Sequence, residues 1–207
     1  RRACAALKIH AEIVDWSAYL GGRRVRSALA SSRGGEILQT LHFVLPGLRA
    51  TANRGSLTQQ RSGGGVNAER QGGLEQLDAL GFSGAATRIA GQALELLDAP
   101  ECPDDRRDLL LMPSQMALQI HESIGHPLEL DRILGDERNY AGTSFVSQDM
   151  IGTYRYGSPL LNVTFDPSVP GEAASYGFDD EGTPAERVHL IRNGVLVRLL
   201  GGTGSQA

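Results

Sequence analysis

The feature that most constrains this chain is a pair of histidines, His121 and His126, which lie five residues apart in a stretch flanked by apolar residues. Imidazole nitrogen is a preferred ligand for zinc, so the pair is a candidate metal site. On a regular α-helix, five residues turn through about 500°, which leaves the two side chains roughly 140° apart. Both rings can face one ion only if the helix is deformed between them. The spacing therefore predicts a wide turn with i→i+5 hydrogen bonds, or an unwound helix end.

The residues around the second histidine favour such a deformation. Gly125 precedes it and tolerates unusual backbone angles. Pro127 follows it and has no backbone N–H, so a regular hydrogen-bond ladder cannot continue there. Glu122, next to the first histidine, is the candidate general base, because a carboxylate beside zinc can take a proton from water.

The pattern H-E-x-x-x-H is less specific than the H-E-x-x-H motif of helical zinc sites, whose ligands lie four residues apart. Two ordinary histidines on a helix are the alternative interpretation. A catalytic zinc site takes three protein ligands, and the chain shows no obvious third one. Glu129 and Asp131 are candidates for a partner that orients a histidine, with solvated charges as the alternative.

Composition limits the classes of protein that this chain fits. Its 207 residues are enough for one medium domain or two small ones. A net charge of -4 gives no indication of nucleic acid or a membrane surface as a partner. Two distant cysteines, no signal peptide and no long apolar run predict a cytoplasmic protein. Because the chain lacks an initial Met and stops just after an apparent strand, we expect an internal portion of a longer protein.

The pattern of apolar residues and turns predicts an α+β fold. Residues 1–62 alternate between extended segments and short turns, which is typical of an antiparallel meander. We expect turns at Gly21-Gly22, Gly34-Gly35 and Pro46-Gly47, with a further strand over 48–60. The predicted division is an antiparallel strand region, 1–72, and a region with the metal motif and a C-terminal hairpin, 73–207, unless the two form one continuous domain.

Helices and a hairpin are predicted after the meander. Apolar residues at helical spacing predict one long helix over 74–98. The apolar run 108–112 predicts a buried strand, and Ser114 is the expected N-cap of the motif helix, 114–126. Asn193-Gly194 between two apolar runs is a strong indication of a β-hairpin.

Two segments together resemble a known family. H-E-S-I-G-H-P-L-E at 121–129 resembles the H-E-A-x-G-H-x-L-E segment of the TldD/PmbA metalloproteases, in their metal-bearing TldD-like branch. Asp179-Asp180-Glu181-Gly182-Thr183-Pro184, followed by the hairpin, looks like that family's D-D-E-G-T-P segment and the hairpin after it. The likeness is good from about Leu109 to the C-terminus. Upstream it is loose and is carried by the meander and the Gly63-Gly64-Gly65 turn.

The resemblance implies a zinc-dependent peptidase that hydrolyses unfolded or small peptides, including peptide precursors. It implies His121 and His126 as zinc ligands and Glu122 as the general base. It also implies a third ligand, a cysteine near the family's C-terminal end, and neither Cys4 nor Cys102 matches that position. The implied partner is a second subunit in a dimer, either the same chain or a related one that lacks the metal motif. We therefore expect this portion alone to bind metal weakly.

Three other functions stay open from the sequence. The first is a metal-free or inactive scaffold subunit of the same family that acts as a peptide-binding module. The second is a metal-free module whose acidic turn at 179–181 contacts a partner. The third is a metal hydrolase that acts on something other than peptides. Metal binding by the complete protein, and its response to chelators, separate the first two from an enzyme.

Overall fold

The fold is described from a computed structural model, which defines residues 1–32, 34–65 and 68–206. As the sequence predicts, the architecture is α+β, with antiparallel sheets and several helices. Packing divides the chain into two compact units, and the domain boundary expected after residue 72 stays a prediction. The first unit comprises residues 1–27, 39–107 and 170–173, and the second comprises residues 28–38, 108–169 and 174–207.

In its described residues, the first unit contains most of a four-stranded sheet and three helices, the longest of which packs against the sheet. Strand β2 is the hub of the sheet, because it is hydrogen-bonded to β1, β3 and β4 and is antiparallel to β3 and β4. The strands are β1 (Ile13–Ala30), β2 (Glu36–Arg54), β3 (Leu57–Gly64) and β4 (Arg70–Gln71). The helices are α1 (Arg2–Ala5), α2 (Gln76–Ala79) and α3 (Phe82–Asp98).

The first two strands are longer than the sequence predicts. β1 continues through Gly21-Gly22 and β2 continues through Pro46-Gly47, so the turns expected at both places are wrong. Gly47 makes room for the ring of Tyr19, which occupies the space where a Cβ would lie. Pro46 is tolerated because the pairing with β3 begins only at Gly47 and the pairing with β4 ends at Val44.

The chain does reverse direction at two other glycine-containing turns. The turn predicted at Gly34-Gly35 is confirmed, and there the Ser31 N–H donates to the Gly35 carbonyl at 2.9 Å. The single strand expected over 48–60 is wrong, because a turn at Gly55 separates β2 from β3. Gly55 has a φ of 62°, a left-handed conformation that favours glycine.

The long helix predicted over 74–98 forms in two parts. α2 and α3 are separated at Gly81, whose φ of 61° is left-handed. α3 then buries one stripe of small and branched side chains against the sheet, and Ile89 in that stripe is 1% exposed. The core of this unit consists of Leu7, Ile13, Leu48, Ala50, Ala52, Ala86, Ile89, Ala90, Ala93 and Leu97.

The second unit contains a smaller antiparallel sheet of β5 (Val163–Phe165), β6 (Val188–Arg192) and β7 (Val195–Leu196). The hairpin predicted around Asn193-Gly194 is confirmed. Both of its turn residues have positive φ, 50° and 79°, as a tight hairpin of primed type requires. The core of this unit consists of Ile124, Leu128, Val146, Leu190, Ile191 and Leu196.

Short helices surround this second core. They are α4 (Pro113–Ile120), a π turn (His121–Gly125), a 3-10 turn (His126–Leu128), α5 (Leu130–Leu134) and α6 (Arg138–Ala141), with further 3-10 turns at Gln148–Met150 and Gly204–Gln206. Within the described ranges, no helix is both long enough and apolar enough to cross a bilayer.

Two predictions just before the motif are wrong. The buried strand expected over 108–112 has no regular structure, and Leu110 is 88% exposed. An apolar run does not by itself specify burial, because burial depends on what the rest of the chain packs against it. Ser114 is not the N-cap, since Pro113 is already the first helical residue and Met112 precedes it. Proline suits that position because its φ is helical and its missing N–H is not needed there.

Candidate metal centre

The helix that carries the histidines changes its geometry where the sequence predicts a deformation. α4 ends at Ile120, and the next five residues, His121–Gly125, form a π turn. The N–H of His126 is bonded to the carbonyl of His121, five residues earlier. The wide turn predicted from the histidine spacing is therefore confirmed.

The π turn brings three potential ligand side chains together. One ligand atom from each of His121, Glu122 and His126 lies within 4.8 Å of the other two. The imidazole rings have centroids 4.3 Å apart and planes at 78°, and His121 Nε2 is 3.9 Å from Glu122 Oε1. Two imidazoles on a tetrahedral zinc hold their nitrogens roughly 3.4 Å apart. The ligand atoms of the two histidines lie within 4.8 Å of each other, a separation of the same order, so both are suitable candidates for two of the three protein ligands of a catalytic zinc.

Burial separates the two faces of this turn. Ile124 of the π turn and Leu128 of the following 3-10 turn are buried in the core of the second unit, and their packing holds this segment in place. His121 and Glu122 are exposed, and His126 is half-buried. The buried side chains hold the backbone of this segment, while His121 and Glu122 are accessible to water.

An ionic network orients His126. Its Nδ1 lies 2.8 Å from Oε1 of Glu129. A carboxylate only accepts hydrogen bonds, so Nδ1 carries the proton and the lone pair of Nε2 is free for a metal ion. Glu129 is thus the orienting partner that the sequence offered as a candidate, whereas Asp131 forms no hydrogen bond or ion pair with either histidine among the described residues.

Arg132 holds Glu129 in place, a role that the sequence analysis missed. Its Nε donates to Oε2 of Glu129 at 3.0 Å, and its terminal amino groups reach Glu137 Oε2 at 3.2 Å and the carbonyl of Ala141 at 2.5 Å. The Arg132 side chain is only 13% exposed, so these bonds are shielded from water. The i, i+3 spacing of Glu129 and Arg132 was the available signal in the sequence.

Two hydroxyl groups donate hydrogen bonds to carbonyls of the π turn and of the 3-10 turn that follows it, and the sequence analysis missed both. The Tyr156 hydroxyl donates to the Ser123 carbonyl at 2.5 Å, and the Ser144 hydroxyl donates to the Pro127 carbonyl at 2.7 Å. Burial, with a smaller contribution from Tyr154, raises the pKa of Tyr156 to about 12. The hydroxyl therefore stays protonated, and remains a donor, at neutral pH.

The acidic segment at 179–184 folds on itself. Oδ1 of Asp179 accepts the N–H groups of Glu181 at 2.9 Å and Thr183 at 2.7 Å, and Glu181 accepts the N–H of Gly204 at 2.9 Å. These carboxylates stabilise a turn, and in the described part of the chain only the His121 group has metal-binding geometry. Neither Cys4 nor Cys102 belongs to that group.

A cleft of about 390 Å³ lies beside this segment. Glu129, which orients His126, is one of its walls. The other lining residues are Phe165, Tyr176, Asp179, Thr183, Pro184, Glu186, Val188, Arg198, Leu199, Leu200, Gly201 and Gly202.

Comparison with known proteins identifies the family to which this chain belongs. Residues 104–206 match the family model described as the PmbA/TldA metallopeptidase C-terminal domain. The chain belongs to the TldD/PmbA family, as its two motifs suggest.

Curated relatives carry the name metalloprotease. The protein of Synechocystis sp. is 33% identical over 145 residues, which are 66% of this chain and 29% of that protein. The protein of Methanothermobacter thermautotrophicus is 32% identical over 177 residues, 84% of this chain and 36% of that protein. A metalloprotease TldD homolog of Buchnera aphidicola is 29% identical over 197 residues, 91% of this chain and 38% of that protein. The chain thus spans about a third of the length of the curated relatives it matches.

Solved structures share the fold over nearly the whole chain. A Thermotoga maritima protein described as a candidate modulator of a DNA gyrase has a TM-score of 0.72 at 17% identity, covering 99% of this chain and 44% of that one. TldE from Thermococcus kodakarensis has a TM-score of 0.66 at 13% identity, covering 96% of this chain and 42% of that one. At these identities the matches show the fold alone.

Proposed function

We propose that this chain supplies two zinc ligands, His121 and His126, and the general base, Glu122, of a metalloprotease of the H-E-x-x-x-H type. The observation that carries the proposal is the π turn, which puts one ligand atom of each residue within 4.8 Å of the others. The names of the curated relatives support peptide-bond hydrolysis as the reaction.

The position of each side chain in the site indicates its proposed role. Zinc bound at the two histidines supplies Lewis acidity, which makes water nucleophilic near neutral pH and polarises a carbonyl. Glu122, exposed beside His121, accepts the proton of the attacking water and passes it to the leaving amine. Glu129 keeps the proton of His126 on Nδ1, so that Nε2 is the ligand atom. The third ligand is proposed to be the cysteine that the family resemblance implies.

The proposed substrates are unfolded or small peptides, including precursors of modified peptides. The cleft that borders Glu129 supports this proposal, because it combines apolar walls at Phe165 and Val188 with exposed main chain at Gly201. An extended peptide binds such a surface through its main chain, as an added strand, and this requires no folded substrate.

The whole protein is proposed to act in the cytoplasm as a dimer, with a second copy or with a related subunit that lacks the metal motif. The alternative is that this chain is the inactive subunit and serves as a peptide-binding scaffold. The intact His121–Glu122–His126 group favours the enzyme, since a scaffold has no use for converging ligands.

Metal binding by the whole protein tests the proposal. We expect about one zinc per chain in the wild type, and loss of that zinc in His121→Ala and His126→Ala. His189→Ala is the matched control, because His189 is an exposed histidine in β6 outside the ligand group, and it should keep the metal. Wild-type protein without zinc, or zinc retained in both ligand variants, would overturn the proposal.

A further inference from the structure

The carbonyl of Ser123, in the middle of the π turn, has lost its ordinary helical donor. In an α-helix this carbonyl accepts the N–H four residues later. The residue at that position is Pro127, which has no N–H to donate. Ser123 is half-buried, so its carbonyl needs a donor from elsewhere in the protein.

Tyr156 supplies that donor from a rigid position. Its hydroxyl lies 2.5 Å from the Ser123 carbonyl. Its own N–H donates to the Gly194 carbonyl in the hairpin turn at 2.7 Å. Its ring packs against the rings of Tyr154 and Phe145, with centroids 5.6 and 6.0 Å away. The backbone and the ring of Tyr156 are thus held by contacts outside the π turn. Its hydroxyl reaches the π turn from this fixed position.

We propose that Tyr156 is a positioning residue of the metal centre, whose hydroxyl keeps the π turn in the geometry that directs His121 and His126 to one ion. The inference rests on the proposed function, since it takes these two histidines as the ligands. Without the hydroxyl, the Ser123 carbonyl recovers a partner only if the turn rearranges. A rearranged turn changes the angle between the side chains of the two histidines, because they lie five positions apart at the two ends of the turn.

Tyr156→Phe tests the role, because it removes the hydroxyl and keeps the ring. Tyr154→Phe is the matched control: it removes a hydroxyl from the neighbouring ring, which makes no hydrogen bond to the turn in the described part of the chain. Both variants are made in the whole protein and titrated with Co²⁺, whose visible spectrum reports ligand geometry. In Tyr156→Phe we expect Co²⁺ binding weakened about tenfold and a changed spectrum at saturation, as for the loss of one buried hydrogen bond. Tyr154→Phe should stay within about twofold of the wild type.

A second measurement examines the turn without any metal. The amide of His126 donates to the His121 carbonyl, so its hydrogen exchange reports the π turn directly. We expect faster exchange of this amide in metal-free Tyr156→Phe, with unchanged exchange in the strands of the same unit. Faster exchange throughout the unit would indicate general destabilisation and would overturn a positioning role.

The outcomes separate this inference from the function on which it rests. Wild-type affinity, spectrum and exchange in Tyr156→Phe overturn the inference and leave the proposed function standing. Equal losses in both tyrosine variants show a packing effect and also overturn it. A wild-type protein that binds neither Co²⁺ nor Zn²⁺ overturns the function and the inference together.

Discussion

Helix α3 of the first unit and helix α4 of the second are held in place by different forces. α3 buries five of its side chains in a core, whereas α4 buries none. The metal motif at the end of α4 is instead fixed by two buried side chains, Ile124 of the π turn and Leu128 of the 3-10 turn. Hydrogen bonds from the hydroxyls of Tyr156 and Ser144, and the contact of His126 with Glu129, add to this support. We conclude that α3 mainly stabilises its unit, while the motif helix depends on a few directional contacts that set ligand geometry.

The largest effect should come from Glu122→Gln, which removes the proposed base and keeps the shape of the side chain. We expect kcat/KM for an unfolded peptide to fall by about 10²–10⁴, with zinc content and thermal stability unchanged. Glu95→Gln, at an exposed carboxylate of α3, is the control and should leave all three quantities unchanged. Normal peptide cleavage by Glu122→Gln would remove Glu122 from the mechanism.

Ile89→Ala tests whether α3 mainly stabilises its unit. This side chain is 1% exposed in the core under α3, so its truncation leaves a cavity. We expect the free energy of unfolding to fall by about 2–5 kcal/mol, with unchanged zinc affinity of the folded protein. Denaturant unfolding and a zinc titration measure the two quantities. A loss of zinc affinity without a loss of stability would contradict the division of roles.

Glu129→Gln should weaken zinc binding by about 10–100-fold, a typical cost of disturbing the partner of a histidine ligand. The amide cannot form the ion pair with Arg132 and holds the His126 ring less firmly. Glu137→Gln is a graded control, because Glu137 pairs with Arg132 and does not touch His126. Calorimetric zinc titrations should show a smaller loss of zinc affinity in Glu137→Gln than in Glu129→Gln. Equal losses in the two variants would argue against a specific role for Glu129.

The smallest effect is expected for Leu118→Ala on α4. Leu118 is 59% exposed, so the free energy of unfolding should change by less than about 0.5 kcal/mol. The same denaturant experiment as for Ile89→Ala provides the direct comparison. A loss of several kcal/mol would show that α4 is buried in the whole protein, and the contrast with α3 would then fail.

The sequence predicted those features that depend on local geometry. If His121 and His126 bind one ion, their five-residue spacing predicts a wide turn or an unwound helix end, because a regular helix cannot direct both rings to one point, and the structure has the wide turn. Asn193-Gly194 specified its hairpin because a primed turn needs two residues with positive φ, and few residue types adopt it.

Features that depend on distant partners were not predictable. Gly47 resembles a turn signal, yet it continues a strand because the Tyr19 ring fills the space beside it. Pro127 reveals that the Ser123 carbonyl lacks a helical donor, but nothing local identifies Tyr156, 33 residues further along the chain, as the replacement. The exposure of Leu110 likewise depends on what packs against it, which an apolar run does not encode.

Anomalous diffraction at the zinc absorption edge, from crystals of the whole protein, tests the central claim most directly. The account expects one zinc peak about 2.0–2.1 Å from a ring nitrogen of both His121 and His126, with His121–Gly125 still a π turn. Zinc bound to only one of these rings, or the two histidines diverging from a regular helix, would contradict it.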